Sequence, residues 1–277
     1  MQELRDKVAV ITGAGAGLGA AIAQAVSAEG MRVVVADIET DHAEHVAQEI
    51  RDVGGDAQAT RVDVGAPPSL SQLAKFAEQT YGACHLLCAN VGVQRLGHVD
   101  ALDADDWEWL IRVNVLGTVN TVRSLLPLMR KQPGEKHIVL TSSISGLLAA
   151  PRLAAYTASK YAVTGYGETL RLELADDGIG VTLLFPGGMA TTHLASSASA
   201  RPAELGRSPE LDLDDAAAIA AVLSPTAESV VEPSYAIRHL VAAIRENRPY
   251  LVTHAPNATE VKERFGQLEA ALSRADD

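Results

Sequence analysis

The sequence predicts a single α/β domain, doubly wound, with a mostly parallel sheet and helices on both faces. Three observations lead there. Short runs rich in valine, isoleucine and leucine alternate with longer runs of helical period from residue 7 to residue 185. The first of these runs passes straight into a glycine-rich turn and an alanine-rich helix. The 277 residues, 47% hydrophobic and 21% charged, supply enough apolar material for one large core. Strands that alternate with helices imply parallel βαβ units, and right-handed crossovers place the helices on both faces.

The elements follow in order. KVAVIT (7–12) is a short β-branched run and reads as a buried strand, and residues 17–29, GLGAAIAQAVSAE, read as a helix. MRVVVADI (31–38) is the second strand, followed by the helix DHAEHVAQEIRDVGG with its glycine stop. DAQATRVDV (56–64) is the third strand, 68–81 a helix and HLLCAN (85–90) the fourth strand. A long helix is expected from about Asp103 to Arg130, then KHIVLTS (136–142) as a strand, a helix over about 155–176, and GVTLLF (180–185) as the sixth strand. Residues 190–232 are rich in Ala, Ser, Pro and Asp and hold only patchy helical signal. A segment that long inside one domain is often functional, so it is expected to be a partly mobile lid over the site. YLVTH (250–254) reads as a last strand, and 255–277 as a C-terminal extension with a terminal helix.

Bulk properties exclude several classes. A net charge of −12 argues against nucleic acid or an anionic membrane as partner. The opening MQELRDKVAVITG lacks a long apolar run behind a basic segment, and no run approaches a membrane span, so the expected location is cytoplasmic. Cys84 and Cys88 fall in GACHLLCANVG and read as reduced core residues, because a metal site would need more ligands nearby. No metal is expected.

The strongest binding signal is the turn T12-G13-A14-G15-A16-G17-L18-G19 between a strand and a helix. Glycines let the backbone approach a pyrophosphate, and the helix N-terminus offers N–H groups and partial positive charge. Asp37 ends the second strand, where a carboxylate accepts hydrogen bonds from both adenosine ribose hydroxyls and repels a 2′-phosphate. This predicts NAD rather than NADP. The alternative is that Asp37 merely caps the next helix.

YTASK, residues 156–160, supplies the chemistry. Tyr156 and Lys160 lie four apart, on one helical face. On its own such a pair is usually an ordinary surface contact. An unperturbed phenol with pKa near 10 is only about a thousandth ionised at pH 7. A cation within roughly 4–6 Å favours the phenolate, which makes a base for alcohol oxidation and an acid for ketone reduction. Ser143, near the end of the fifth strand, can hydrogen-bond a substrate oxygen and orient it.

The glycine spacing T-G-x-x-x-G-x-G, with these residues, resembles the classical short-chain dehydrogenase/reductase family over about Lys7 to Thr192. The resemblance implies a Rossmann-type domain and several roles. Gly13, Gly15, Ala16, Gly17, Leu18 and Gly19 with Asp37 and Ile38 would hold the cofactor, and Asp63 with Val64 would contact its adenine. A89-N90-V91-G92 stands where the family has N-N-A-G, keeping Asn90 and Gly92. Asn114, in RVNVLG, matches the asparagine that holds a helix kink and a proton-relay water. Ser143, thirteen residues before Tyr156, is favoured over its neighbours Ser142 and Ser145, and Lys160 would also bind ribose. Pro186, Gly187 and Thr191 match P-G-x-x-x-T, whose threonine binds the nicotinamide carboxamide.

The implied activity is NAD-dependent interconversion of a secondary alcohol and its ketone. Leu147, Leu148, Ala149, Met189 and Leu194 suggest an apolar or aromatic substrate; Leu148, Met189 and His193 are the residues singled out to contact it. His193 either contacts a substrate oxygen or sits in solvent. An NADPH-dependent ketoreductase and a nicotinamide-binding regulator without turnover are the alternatives. Family members commonly form homo-oligomers, so a tetramer or dimer is expected. Trp107 and Trp109 read equally as core or interface.

Overall fold

Ile11 and Val10 sit side by side in one strand, yet they belong to different cores. In the computed structural model Ala9, Ile11, Val33, Val35, Leu86, Cys88, Val139 and Leu184 face one side of the sheet. Val10, Val34, Ala36, Leu87, Ala89, Ile138, Leu140, Leu183 and Phe185 face the other. Successive strand side chains point to opposite faces, so near-continuous apolar runs are what a sheet covered on both faces demands.

The structure describes residues 1–206, 214, 217–218, 230–254 and 257–274. Among them, strands β1 (Val8–Thr12), β2 (Arg32–Asp37), β3 (Asp56–Arg61), β4 (Leu86–Ala89), β5 (Lys136–Thr141), β6 (Ile179–Phe185) and β7 (Tyr250–Val252) form one sheet. Its order is β3-β2-β1-β4-β5-β6-β7, and every pairing is parallel. The chain winds outward from β1 to β3, then crosses back beside β1 as β4. That reversal opens a crevice at the carboxyl ends of β1 and β4, the place where such sheets bind ligands.

Helices α1 (Gly17–Ala28) and α2 (Thr40–Asp52) cover the first face. The short helices α8 (Pro233–Ala236) and α9 (Leu240–Arg245) complete it. Helices α3 (Pro67–Tyr81), α5 (Gly117–Arg130) and α6 (Ala154–Glu173) cover the second. Helix α7 (His193–Ala200) lies in the 190–232 segment, and α10 (Ala258–Ser273) follows β7. Of the expected lid, 190–206, 214, 217–218 and 230–232 are described and the rest lies outside the described residues, as do 255–256 and 275–277 of the expected extension.

The helix expected over 103–130 is interrupted. It begins as α4 (Ala104–Leu110), capped by the Asp103 side chain, which accepts from Asp106 N–H. It then widens to a π-helical segment (Ile111–Leu116) before α5. Gly117 N–H reaches back five residues to Arg112 O. π-turns often mark functional positions, and this one carries Asn114, fully buried.

The thiols of Cys84 and Cys88 are buried and unpaired with each other, and burial drives their pKa values far up. Trp109 is core; Trp107 is half-buried. No described helix is long and apolar enough to cross a membrane.

Candidate active site

The glycine turn is shaped by contacts that a side chain would block. Gly13 and Gly17 have φ values of +65° and +54°, in the left-handed region that favours glycine. A Cβ on Gly15 would stand 2.9 Å from the Asp37 carboxyl carbon and 2.9 Å from His42 Cβ. One on Gly19 would stand 2.7 Å from Gly13 carbonyl carbon, so α1 packs tightly on the turn. Ala16 starts α1 with no side-chain cap, and no acidic residue sits in the first turn. The leading N–H groups are therefore free to meet an anion. A cleft of about 440 Å³ opens here between Ala16, Gly17, Gln24, Thr191 and Glu232.

Asp37 is tied into this turn. Gly15 N donates to its Oδ2 at 2.8 Å, and Glu39 N donates to Oδ1 at 3.0 Å. Both oxygens keep a further lone pair. Ile38, beside it, is exposed, and Leu18 is buried in the first turn of α1. Asp63 accepts from Gly65 N at 2.8 Å, and Val64 is buried in the core beside α5. Asn90 knits β4 to the turn: its Nδ2 donates to Gly13 O at 3.3 Å, and its Oδ1 accepts from Thr141 at 3.0 Å.

Four of the singled-out side chains converge. Asn114 accepts from Val93 N at 2.7 Å and donates to Val93 O and Ser159 Oγ at 2.8 and 2.9 Å. Ser159 in turn donates to Tyr156 O at 2.7 Å. Lys160 Nζ donates to Thr141 O at 3.0 Å and lies 5.6 Å from the Tyr156 ring centroid. A Cβ on Gly92 would stand 3.0 Å from Lys160 Nζ and 3.6 Å from Asn114 Oδ1, so glycine here lets the two approach. Ser143 accepts from Ser145 N at 3.1 Å and is hydrogen-bonded to the Tyr156 phenol. Its rivals stand otherwise: Ser142 donates to Lys160 O at 3.0 Å, and Ser145 Oγ is buried with no partner among the described residues. Tyr156 itself is 8% exposed, in an apolar cluster with Val93, Leu96, Leu153 and Trp109.

The electrostatics differ from the expectation of a lowered phenol. In the chain alone burial raises the Tyr156 pKa, and the Ser143 hydrogen bond offsets only part of that. The sequence placed Lys160 correctly beside the ring but could not show how deeply the phenol is buried, and desolvation disfavours the charged form. Burial also pushes Lys160 down to about 8.

On the far side, Gly187 N donates to Thr253 Oγ1 at 3.2 Å, and Pro186 O accepts from Ile144 N at 2.8 Å. Thr191 faces Gly17 across the cleft; a Cβ on Gly17 would stand 3.4 Å from Thr191 Cγ2. His193 is half-buried, and burial, then the Lys160 charge, push its imidazole down to about 4. Leu148 is half-buried beside the Ser143 turn. Met189 packs instead against the core on the α1 side, and its backbone bridges Val231.

Sequence reasoning missed Ser159, although it lies inside YTASK three residues past Tyr156. It also missed Arg95, Asp106 and Arg201, which meet only through the fold: Arg201 lies 2.6 Å and Arg95 3.4 Å from Asp106 Oδ1.

Known proteins place this arrangement. The short chain dehydrogenase profile matches residues 7–202. Cyclohexanol dehydrogenase of Acinetobacter sp. (strain SE19) is 34% identical over 73% of this chain and 81% of its own. A short chain dehydrogenase/reductase from Burkholderia phymatum, solved in complex with NAD, is 34% identical with a TM-score of 0.89, covering 98% of this chain and 97% of that one. The apo form of LigO from Sphingobium sp. strain SYK-6 is 29% identical with a TM-score of 0.83, covering 100% of this chain and 93% of that one. The profile match across most of the chain, on a sheet of order β3-β2-β1-β4-β5-β6-β7, is decisive. This chain belongs to the short-chain dehydrogenase/reductase family of oxidoreductases.

Proposed function

We propose that the chain is an NAD-dependent dehydrogenase that interconverts a secondary alcohol and its ketone, on an apolar or aromatic substrate. The observation that carries the reading is the buried Tyr156 phenol, hydrogen-bonded to Ser143, with the Lys160 ammonium 5.6 Å from its ring. A phenol so placed serves one proton at one point in an apolar setting.

The residues present fit a dinucleotide. The uncapped start of α1 suits the pyrophosphate, with Gly13, Gly15, Ala16, Gly17, Leu18 and Gly19 around it. Asp37, fixed by Gly15 and Glu39 backbone N–H groups, offers its remaining lone pairs to the adenosine ribose hydroxyls. Its fixed negative charge disfavours a 2′-phosphate, which selects NAD over NADP. Asp63, Val64 and Ile38 would line the adenine, and Asn90, Gly92, Pro186, Gly187 and Thr191 the nicotinamide side. The NAD-bound relative and the cyclohexanol dehydrogenase support this direction.

A dinucleotide held here would supply the hydride acceptor for the carbinol carbon. Everything else falls to the chain. Ser143 donates to the substrate oxygen and orients it. Tyr156 takes the hydroxyl proton in oxidation and returns it in reduction. Lys160, held by Thr141 O with its ammonium 5.6 Å from the Tyr156 ring, is the chain's own positive charge that favours the phenolate. Leu148 and His193 are the proposed substrate contacts; Met189 would contribute through its backbone bridge to Val231.

The test is a titration with NAD⁺ and NADP⁺ over a panel of aliphatic, aromatic and steroid-like secondary alcohols, following reduced-nicotinamide absorbance. Turnover with NAD⁺ is expected, and Tyr156→Phe should lower kcat by about 10²–10⁴ while NAD⁺ still binds. Preference for NADP⁺, or full activity in the variant, sinks the proposal.

A further inference from the structure

We propose that Arg201 is a positioning residue that clamps α7 and the following turn onto the wall of the Tyr156 pocket, and that Arg95 takes over its carboxylate partner when the clamp releases. The inference rests on the dehydrogenase reading for what the pocket holds, but not for how the clamp works.

The described side chains of α7 from Ala195 onward are small and mostly exposed. Its sequence is HLASSASA, and Ala195, Ser196, Ala198 and Ser199 are exposed. Polar contacts fasten it instead. Ser197 Oγ accepts from Gln94 N at 3.1 Å and donates to His193 O at 2.7 Å. Just past the helix, Arg201 spends every arm of its guanidinium. One Nη donates to Asp106 Oδ1 at 2.6 Å, the other to Leu205 O at 3.1 Å, and Nε to Gly206 O at 3.1 Å. Its carbon centre lies 5.3 Å from the Trp109 ring centroid. The turn so held puts Ala200 and Leu205 against the cluster that contains Tyr156 and Val93. The position of Arg201 therefore sets the position of that wall.

Asp106 has a second suitor. Arg95 Nε lies 3.4 Å from the same Oδ1, and the Arg95 and Asp106 side chains are 7% and 4% exposed. That nitrogen is buried and makes no hydrogen bond among the described residues. One carboxylate thus faces two guanidiniums, and a buried donor goes unused, which is costly. Breaking a buried ion pair usually strands a charge. Here it does not. If Arg201 swings out to water, Asp106 bonds Arg95, and the stranded donor gains its acceptor. Asp106 keeps a cationic partner in both arrangements, while the Leu205 and Gly206 carbonyls face water in the open one, and such alternatives are what a bistable element needs. The release would admit substrate and let product leave.

The chain's two tryptophans, Trp107 and Trp109, both lie on α4, so a Trp107→Phe background reads Trp109 alone beneath Arg201. Acrylamide quenching of Trp109 measures how often the clamp is open, with no need for turnover. Arg201→Ala should raise the quenching constant about threefold. It should also raise KM about tenfold with kcat changed far less, and Arg201→Lys should recover part of both. Arg95→Met should act in the opposite direction: quenching below the parent, and KM unchanged or lower, because Asp106 then has Arg201 as its remaining cation. If Arg95→Met does not fold, Arg95→Gln serves the same arm. Unchanged quenching in Arg201→Ala overturns the clamp. Raised quenching on removing Arg95 overturns the exchange and leaves a purely structural triad. Failure of every alcohol in the panel would strike the dehydrogenase reading and leave the quenching result standing on its own.

Discussion

Gly19 shows how little room the cofactor turn leaves. Its missing side chain is where Gly13 C=O and Asn90 Nδ2 stand, the latter 2.8 Å from an added Cβ. Both neighbours are backbone or hydrogen-bonded, so neither can move cheaply. Gly19→Ala should cost about 1–3 kcal/mol of stability by overpacking. Thermal melting checks the loss, and calorimetric titration should find NAD⁺ affinity reduced with it. An unchanged melting temperature would mean the turn relaxes freely. The same scale holds the limit of what spacing alone conveys. The place of Asp37 at the end of the second strand was legible, because β-branched runs mark where strands stop. Its hydrogen bond to Gly15 was not, since nothing in a sequence says which backbone N–H a carboxylate will meet. The direction of the Tyr156 pKa was hidden for a related reason: burial is a property of neighbours contributed by loops at Val93, Leu96 and Leu153.

Helical period announced one long helix over 103–130, and the chain makes three pieces of it. The family resemblance put a helix kink at Asn114, but helical period alone gave no extent for the wide turn, which the structure places at Ile111–Leu116. The cause is tertiary. Gly117 packs so closely on Val64 that a Cβ would stand 2.8 Å from Val64 Cγ2, and the wide turn rotates Asn114 inward to Val93 and Ser159. Thr118 Oγ1 closes the loosened ladder by donating to Asn114 O at 2.7 Å. Asn114→Ala would strand Val93 N–H and C=O in the interior, a loss of about 2–4 kcal/mol taken over both groups. A lower urea midpoint with an unchanged m-value, together with a drop in kcat, is the expected outcome. Full stability would mean that water satisfies Val93. Strand boundaries were legible to within a residue or two, save that β3 ends at Arg61 rather than Val64: past the end of β2, Val62 N turns to Asp37 O at 2.8 Å. Helix α7 was hard to see because its alanines and serines carry no apolar stripe, and its fastenings at Gln94 and Asp106 are distant in sequence.

Across the whole molecule, buried histidines set an acid limit. His137 is fully buried on β5, with Nε2 2.8 Å from Thr182 Oγ1. The Thr182 hydroxyl already donates to Arg248 O at 2.6 Å, so Nε2 carries the imidazole proton and Nδ1 is a bare lone pair that needs no donor. Burial holds His137 down to about 3 and His85 to about 4. Unfolding returns both to the ordinary 6.5, so below that pH the unfolded chain binds more protons than the folded one. Stability is therefore present above pH 6.5 and lost as the pH falls toward 4. Each histidine should contribute a slope of about 1.4 kcal/mol per pH unit in that window. Urea unfolding at pH 5 and 6 measures it, and His137→Val should remove about one proton from the slope. A slope that the variant leaves unchanged would place the acid sensitivity elsewhere.

The first face of the sheet joins residues far apart in the chain. Ala9, Ile22, Val33 and Ile50 share one core with Ala236, Leu240, Ala243, Ile244 and Leu251. Synthesis runs from the N-terminus, so α1, α2 and their strands leave the ribosome long before α8, α9 and β7 exist to close that layer. The second face suffers no such delay, because α3, α5 and α6 each follow soon after the strands they cover. A growing chain of this protein thus exposes an oily half-layer until residues 236–251 emerge to seal it.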